Sequence, residues 1–112
     1  MALIIFDRNV PDQLRKYLPN HTVRTTGEQN WSQLTNGELL DAAEAAKFDI
    51  LVTADQNLSY QQNLKDRNIS VVVLNTNRRS VLEAHAQKLT EAVDTARPGS
   101  YDFIRYELPP KE

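Results

Sequence analysis

The chain contains no cysteine among its 112 residues, which excludes a disulfide framework and any cysteine-based zinc site. It has only three glycines, and none of them belongs to a glycine-rich loop that would cradle phosphate. No stretch approaches the roughly 20 apolar residues of a membrane-spanning helix. Basic residues are not in excess, since the formal net charge is −2 and the pI is about 5.7. We therefore expect a soluble, cytoplasmic protein without the overall basic character of many nucleic-acid-binding domains.

The size and composition fit one globular domain. Hydrophobic residues make up 40% of the chain and charged residues 25%, which is enough apolar material for a buried core. We predict a single domain over residues 1–108, because 112 residues are too few for two ordinary domains. The last four residues, "PPKE" (109–112), are expected to form a flexible tail.

Apolar runs and helical patterns alternate along the chain. Short apolar or β-branched runs predict strands at 3–6, 21–26, 49–53, 69–74 and 101–108. Patterns with helical spacing separate them, at 10–18, 35–48, 57–66 and 80–96. This alternation predicts an α/β fold, a three-layer sandwich with a mainly parallel central sheet. Trp31 and Leu34, in the loop before the second helical pattern, are expected to pack inward.

Two aspartates follow predicted strands. Asp7 comes directly after "LIIF", and Asp55 follows "DILVT" by one residue. Ligands bind outside the carboxyl ends of the strands in such sheets, so both carboxylates are expected at one edge. Carboxylates that converge there either repel one another or share a cation, and oxygen ligands suit Mg²⁺ or Mn²⁺. The simpler interpretation is that each aspartate stabilises the turn that follows it.

Other polar residues have comparable alternatives. Glu38 is three residues after Thr35, which is the spacing of a capping box at a helix start. Asn9 and Asn57 are natural helix caps as well as candidate site residues. Arg78 and Arg79 either bind phosphate or lie in a solvated loop.

The histidines show no pattern of nucleophilic catalysis. His21 lies in a predicted turn and His85 on a mostly polar helix, and neither is near a serine or aspartate in a recognisable arrangement. We expect both side chains to face solvent.

Two segments together resemble a known nuclease family. "LIIFDRNVP", followed by "NGELLDAAEAAKFDILVTADQNL", is similar to the PIN-like (PilT N-terminus-like) superfamily, in particular its short toxin-type group from bacteria and archaea. Asp7 matches the family's first aspartate, and Thr53 and Asp55 match the motif that closes its later strand. Leu39 and Ala43 match its helix motif. The resemblance covers residues 3–75, and the predicted helix 80–96 fits the family's final helix.

The resemblance implies a metal-dependent endoribonuclease that acts as the toxin of a toxin–antitoxin pair. It implies RNA as substrate, a small protein antitoxin as partner, a homodimer, and Mg²⁺ or Mn²⁺ held by Asp7 and Asp55. Asn36 and Asn57 stand where the family usually has acids, which predicts one weakly bound ion rather than two. The remaining expected roles are an auxiliary acid (Glu38), orientation of water or phosphate (Asn9, Asn36 and Asn57) and positioning of RNA (Arg67, Arg78 and Arg79).

Two other functions remain open at this point. The first is a non-catalytic PIN-like module that binds RNA or a partner protein through an amide-rich pocket. The second is a phosphate-receiving regulatory domain of flavodoxin-like topology, although no convincing lysine follows the strand "SVVVL".

Overall fold

Five parallel strands form one sheet in the computed structural model, which describes residues 2–56, 64 and 66–108. The strands are β1 (Leu3–Phe6), β2 (Thr22–Thr25), β3 (Ile50–Thr53), β4 (Ser70–Leu74) and β5 (Tyr101–Ile104). Their order is β2-β1-β3-β4-β5, and every neighbouring pair is parallel. The predicted α/β fold with a parallel sheet is therefore confirmed. Most of the predicted helix 57–66 and the whole tail 109–112 lie outside the described residues.

The helices differ in detail from the sequence pattern. Among the described residues they are a 3₁₀ helix (Asp12–Tyr17), α1 (Asn36–Ala45), α2 (Arg79–Ala84) and α3 (Ala86–Thr95). The helix predicted over 10–18 is a 3₁₀ helix of six residues. It ends at Tyr17 because Pro19 disfavours the α conformation of Leu18, the residue that precedes it. The helix predicted over 80–96 is divided at His85, whose φ of −126° and ψ of 39° leave the helical region.

Helices cover both faces of the sheet. Side chains alternate along each strand, so Ile4 and Phe6 of β1 belong to one apolar cluster and Ile5 belongs to the other. The first cluster includes residues of the 3₁₀ helix, α2 and α3, namely Leu14, Val81, Leu82, Leu89 and Val93. The second includes α1 residues Leu39, Leu40 and Ala43, with Trp31 and Leu34 packed against it as predicted. The sheet and the helices packed on each of its faces form the three layers.

The connections diverge at the centre of the sheet. The chain leaves β1 toward β2 on one side, and after β2 it crosses to β3 on the other side of β1. Ligands of such sheets bind at the carboxyl ends of the two strands where this reversal occurs. The strand order is that of flavodoxin-like sheets, and it places the reversal between β1 and β3.

Candidate functional site

Asp7 lies at the carboxyl end of β1 and is fixed to β3. Its backbone N–H donates to the carbonyl oxygen of Val52 (2.9 Å), which prolongs the pairing of the two strands. The Thr53 hydroxyl donates to Asp7 Oδ2 (2.7 Å), and the backbone N–H of Arg8 donates to Asp7 Oδ1 (2.8 Å). The carboxylate is half-buried and held in one orientation.

Thr53 also connects Asp7 to Asp55. Its hydroxyl is fully buried and accepts a hydrogen bond from the backbone N–H of Asp55 (3.0 Å) while donating to Asp7. Asn9 Oδ1 accepts from the backbone N–H of Ala54 (3.0 Å), which ties the loop after β1 to the loop after β3. The structure thus brings Asp7, Asn9 and Asp55 together at the edge where the sheet reverses.

The Asp55 carboxylate has no hydrogen-bond donor among the described residues. It is half-buried, and its oxygens are available. Mg²⁺ in proteins is commonly held by one or two carboxylates and keeps several water ligands. No group of three His, Cys, Asp or Glu residues lies close enough to hold a metal in residues 2–56, 64 and 66–108.

Glu38 is engaged as a helix cap. The backbone N–H and the hydroxyl of Thr35 both donate to Glu38 Oε1 (2.9 Å each), completing a capping box at the start of α1. These hydrogen bonds, the backbone one above all, lower the pKa of Glu38 below its usual value. Asn36 is the first residue of α1, but its side chain lies outside what the structure describes, as does the whole of Asn57.

Two of the three arginines lie after β4, at the same edge as Asp7. Arg78 and Arg79 are both exposed. Arg79 Nε donates to Glu83 Oε2 (3.2 Å), one turn further along α2. The backbone N–H of Arg78 donates to Thr76 Oγ1 (3.1 Å), and its guanidinium makes no ion pair within the described part of the chain. The two cations are accessible to a ligand at this edge.

Arg67 lies at the opposite edge of the sheet, just before β4. Its guanidinium forms ion pairs with Asp41 Oδ1 (2.7 Å) and Glu44 Oε1 (2.8 Å) of α1. Glu44 Oε2 also accepts the backbone N–H of Asn68 (2.9 Å). Arg67 therefore links α1 to the start of β4, and the structure does not bring it to Asp7 and Asp55.

The contacts of Glu44 predict an acid-sensitive stability. The backbone N–H of Asn68, and then Arg67, lower the pKa of Glu44 below its ordinary value of 4.5. A carboxyl with a lower pKa in the folded than in the unfolded state stabilises the fold above the unfolded value, and this stabilisation disappears as the pH falls through the folded value. We expect Glu44→Gln to flatten the fall in unfolding free energy as the pH falls below 4.5, the ordinary pKa of a glutamate, measured by urea denaturation. Glu91→Gln, at an exposed position of α3, is the matched control, and an equal change in both variants would contradict the assignment.

His21 differs from the sequence-based expectation. Its side chain is only 10% exposed, at the amino-terminal edge of the sheet. Nδ1 accepts a hydrogen bond from the backbone N–H of Ala2 (2.9 Å). Nε2 therefore carries the ring proton and donates a hydrogen bond to Asp94 Oδ1 (2.9 Å). The expectation of a solvent-facing His21 was wrong, because hydrogen bonds to residues distant in sequence hold the ring against the edge of the sheet. His85 is exposed, as expected.

Sequence reasoning also missed a cleft beside Asp7, between the ends of β1 and β2. It has a volume of about 390 Å³, and Arg8, Gln13, Gly27 and Ser32 are among the residues that line it together with Asp7. No pattern in the sequence indicated the cleft, although it contains residues of a short Thr-x-Gly-Glu pattern that occurs at 25–28 and again at 35–38. The first copy forms one wall of the cleft, and the second begins α1.

Comparisons of the chain with models of protein families, with curated proteins and with solved structures find no match. No helix within the described residues is long and apolar enough to cross a bilayer. The geometry at the carboxyl ends of β1 and β3 is therefore the main indication of function.

Proposed function

We propose that the chain is a cytoplasmic, metal-dependent endoribonuclease whose site is the edge formed by Asp7 and Asp55. The observation that supports this most is the buried Thr53 hydroxyl, which bonds to the Asp7 carboxylate and to the backbone of Asp55. Two acids from separate strands are thereby held together where parallel α/β sheets bind ligands. A cation bound between these two acids would offset the repulsion of their negative charges.

The residues at this edge have distinct roles in the proposed reaction. A Mg²⁺ or Mn²⁺ ion held by Asp7 and Asp55 would supply Lewis acidity toward a phosphodiester and lower the pKa of a bound water. The Thr53 hydroxyl orients the Asp7 carboxylate and holds the backbone of Asp55, and Asn9 holds the loop that carries Asp55. Arg78 and Arg79, exposed after β4, contact the RNA backbone without reading its sequence. Glu38 contributes through α1, whose first turn it stabilises.

The resemblance to PIN-like toxins adds two partners to the proposal, a small protein antitoxin and a second copy of the chain. Growth arrest on expression, relieved by co-expression of the product of a neighbouring gene, supports the first. A molar mass of twice that of the chain, measured by light scattering, would support a homodimer. Neither result is required for the ribonuclease activity itself.

A non-catalytic module that binds RNA or a partner protein is the second candidate. It is favoured by Glu38, whose carboxylate is engaged with Thr35 at the start of α1. The absence of a third metal-ligating residue near Asp7 and Asp55, as far as the structure describes the chain, points the same way. The phosphate-receiving alternative shares the strand order, but asparagine and threonine follow β4 rather than lysine.

The decisive experiment is RNA cleavage by the purified protein. Mixed RNA is incubated with and without Mn²⁺, and the wild type is compared with Asp7→Asn and Asp55→Asn. We expect cleavage that requires Mn²⁺ and that each substitution reduces at least about 100-fold, because the ion loses a charged ligand. Asp66→Asn, an exposed aspartate at the opposite edge of the sheet, is the matched control and should cleave like the wild type.

Two results would change the conclusion. RNA binding without cleavage under any metal condition would replace the ribonuclease with the non-catalytic module. Cleavage that survives both substitutions would place the activity elsewhere or in a contaminant. Calorimetric titration with Mn²⁺ provides an independent measurement, in which both variants should bind more weakly than the wild type.

A further inference from the structure

The cleft beside Asp7, here called the Gly27 cleft, opens at the same edge as the proposed site. Asp7 forms part of its wall, so whatever occupies the cleft lies next to the Asp7 carboxylate. Its volume of about 390 Å³ is at the lower end of the range for small-molecule pockets, roughly 300–1,000 Å³. This volume is that of a small-molecule site.

The wall of the cleft includes Gly27, where the backbone carries no side chain. A Cβ atom at Gly27 would lie 3.7 Å from Thr25 Oγ1 and 4.0 Å from Ser32 Oγ, and both of these residues also line the cleft. Those distances are ordinary contacts, so a side chain is sterically possible and would occupy the cleft. The second Thr-x-Gly-Glu copy offers a comparison, since a Cβ at Gly37 would meet nothing within 4 Å.

The wall that contains Gly27 is held in shape by local hydrogen bonds. The backbone N–H of Thr25 donates to Glu28 Oε1 (2.9 Å), and the backbone N–H of Glu28 donates to Thr25 Oγ1 (3.1 Å). Arg15 pairs with the same carboxylate oxygen (3.2 Å) and anchors the turn to the 3₁₀ helix. The cleft is therefore preformed on this side.

The guanidinium of Arg8 forms a planar, positively charged part of the cleft wall. One terminal N–H of its guanidinium donates to the carbonyl oxygen of Ser32 (2.6 Å), which holds the side chain across the loop after β2. Guanidinium planes stack on the faces of unpaired RNA bases. The cleft also contains the carboxylates of Asp7 and Asp12, so its formal charge is −1 and a free anion is disfavoured.

We propose that the Gly27 cleft binds the ribonucleoside that adjoins the phosphate positioned at Asp7 and Asp55. The sugar and base are neutral, which agrees with the charge of the cleft, and the phosphate remains at the acidic edge. The Ser32 hydroxyl and the Gln13 carboxamide line the cleft and make no hydrogen bond to the described residues, so they are available to ribose hydroxyls and base edges. The position of the adjoining phosphate rests on the proposed ribonuclease function, whereas binding of the nucleoside does not.

Nucleoside binding is tested without metal and without activity. The ¹⁵N-labelled protein is titrated with uridine, cytidine, adenosine and guanosine in EDTA, and amide shifts are followed. We expect at least one nucleoside to shift the amides of Gln13, Gly27 and Ser32. Gly27→Leu should abolish these shifts and Gly27→Ala should weaken them, whereas Gly37→Leu should leave them unchanged. The dispersion of each variant's own spectrum shows that it is folded.

The effect on cleavage separates this proposal from the ribonuclease proposal. We expect Gly27→Leu to raise KM for RNA roughly tenfold and to change kcat less than about twofold, because ground-state binding is lost and the acids are intact. Metal-dependent cleavage with no nucleoside shifts and an unchanged KM in Gly27→Leu would overturn the cleft proposal alone. Nucleoside shifts that Gly27→Leu abolishes, in a protein that cleaves nothing, would support the cleft and overturn the hydrolase.

Discussion

Replacement of Thr53 by valine is expected to reduce RNA cleavage about 100-fold and to lower the free energy of unfolding by about 1–3 kcal/mol. Valine has nearly the same shape and suits a strand, so the packing of β3 is preserved. What is lost is the donor to Asp7 Oδ2 and the acceptor for the Asp55 N–H, both served by one fully buried hydroxyl. The Asp7 carboxylate then keeps only the hydrogen bond from the backbone N–H of Arg8, and the Asp55 N–H lacks a partner near the core.

The matched variant is Thr53→Ser, which keeps the hydroxyl and removes one methyl group. It should retain most of the cleavage while losing some stability to the small cavity. Cleavage rates and urea denaturation measured on both variants separate the hydrogen bonds from the packing. Equal cleavage by Thr53→Val and the wild type would show that the Thr53 hydroxyl does not organise the acids.

Replacement of Asn75 by alanine is expected to cost about 2–3 kcal/mol of unfolding free energy. Asn75 follows β4, and its side chain bonds to both backbone groups of Tyr106, with Nδ2 donating to the carbonyl (3.0 Å) and Oδ1 accepting the N–H (2.8 Å). The backbone N–H of Asn75 still donates to the carbonyl oxygen of Ile104 (3.2 Å), and beyond this bond the asparagine side chain takes the place of a further strand residue. Truncation leaves two half-buried backbone groups without their partners.

Tyr106 gives this prediction a second measurement. Its ring is 2% exposed, and burial raises the pKa of its hydroxyl to about 12. If Asn75→Ala releases the segment after β5, the pKa of Tyr106 should move toward 10, its usual value, in an alkaline absorbance titration. Asn77→Ala, two residues away and exposed, is the control and should change neither the stability nor this titration. A stable Asn75→Ala variant with an unshifted tyrosine would show that the bidentate contact is dispensable.

The sheet was predictable because its strands are unusually clear in the sequence. "LIIF", "ILVT" and "SVVVL" are buried on both faces, and uninterrupted apolar runs of this length are typical of central parallel strands. Their parallel pairing followed from the helical patterns between them. The meeting of Asp7 and Asp55 at one edge followed from the same rule, because parallel strands place their carboxyl ends together.

The remaining features depend on contacts that no local pattern encodes. Arg67 was a candidate RNA contact, but its partners Asp41 and Glu44 come from a helix more than 20 residues earlier. His21 is buried through Asp94, which is 73 residues away. The division of the last helix at His85 has no proline or glycine to indicate it. The Gly27 cleft arises where a turn after β2 meets the end of β1, and neither segment alone predicts it.

The hydrogen bond between Thr53 and Asp7 joins residues that are 46 positions apart, which has a consequence for folding. Because every strand pairing in the sheet is parallel, none can form as a local hairpin, and each requires closure of a long loop. Chains dominated by such distant contacts fold slowly for their size. The two acids meet only once β1 has docked against β3. An intermediate built from β3, β4 and β5 alone would therefore lack the proposed site. Acquisition of activity during refolding would therefore report the docking of the first strand.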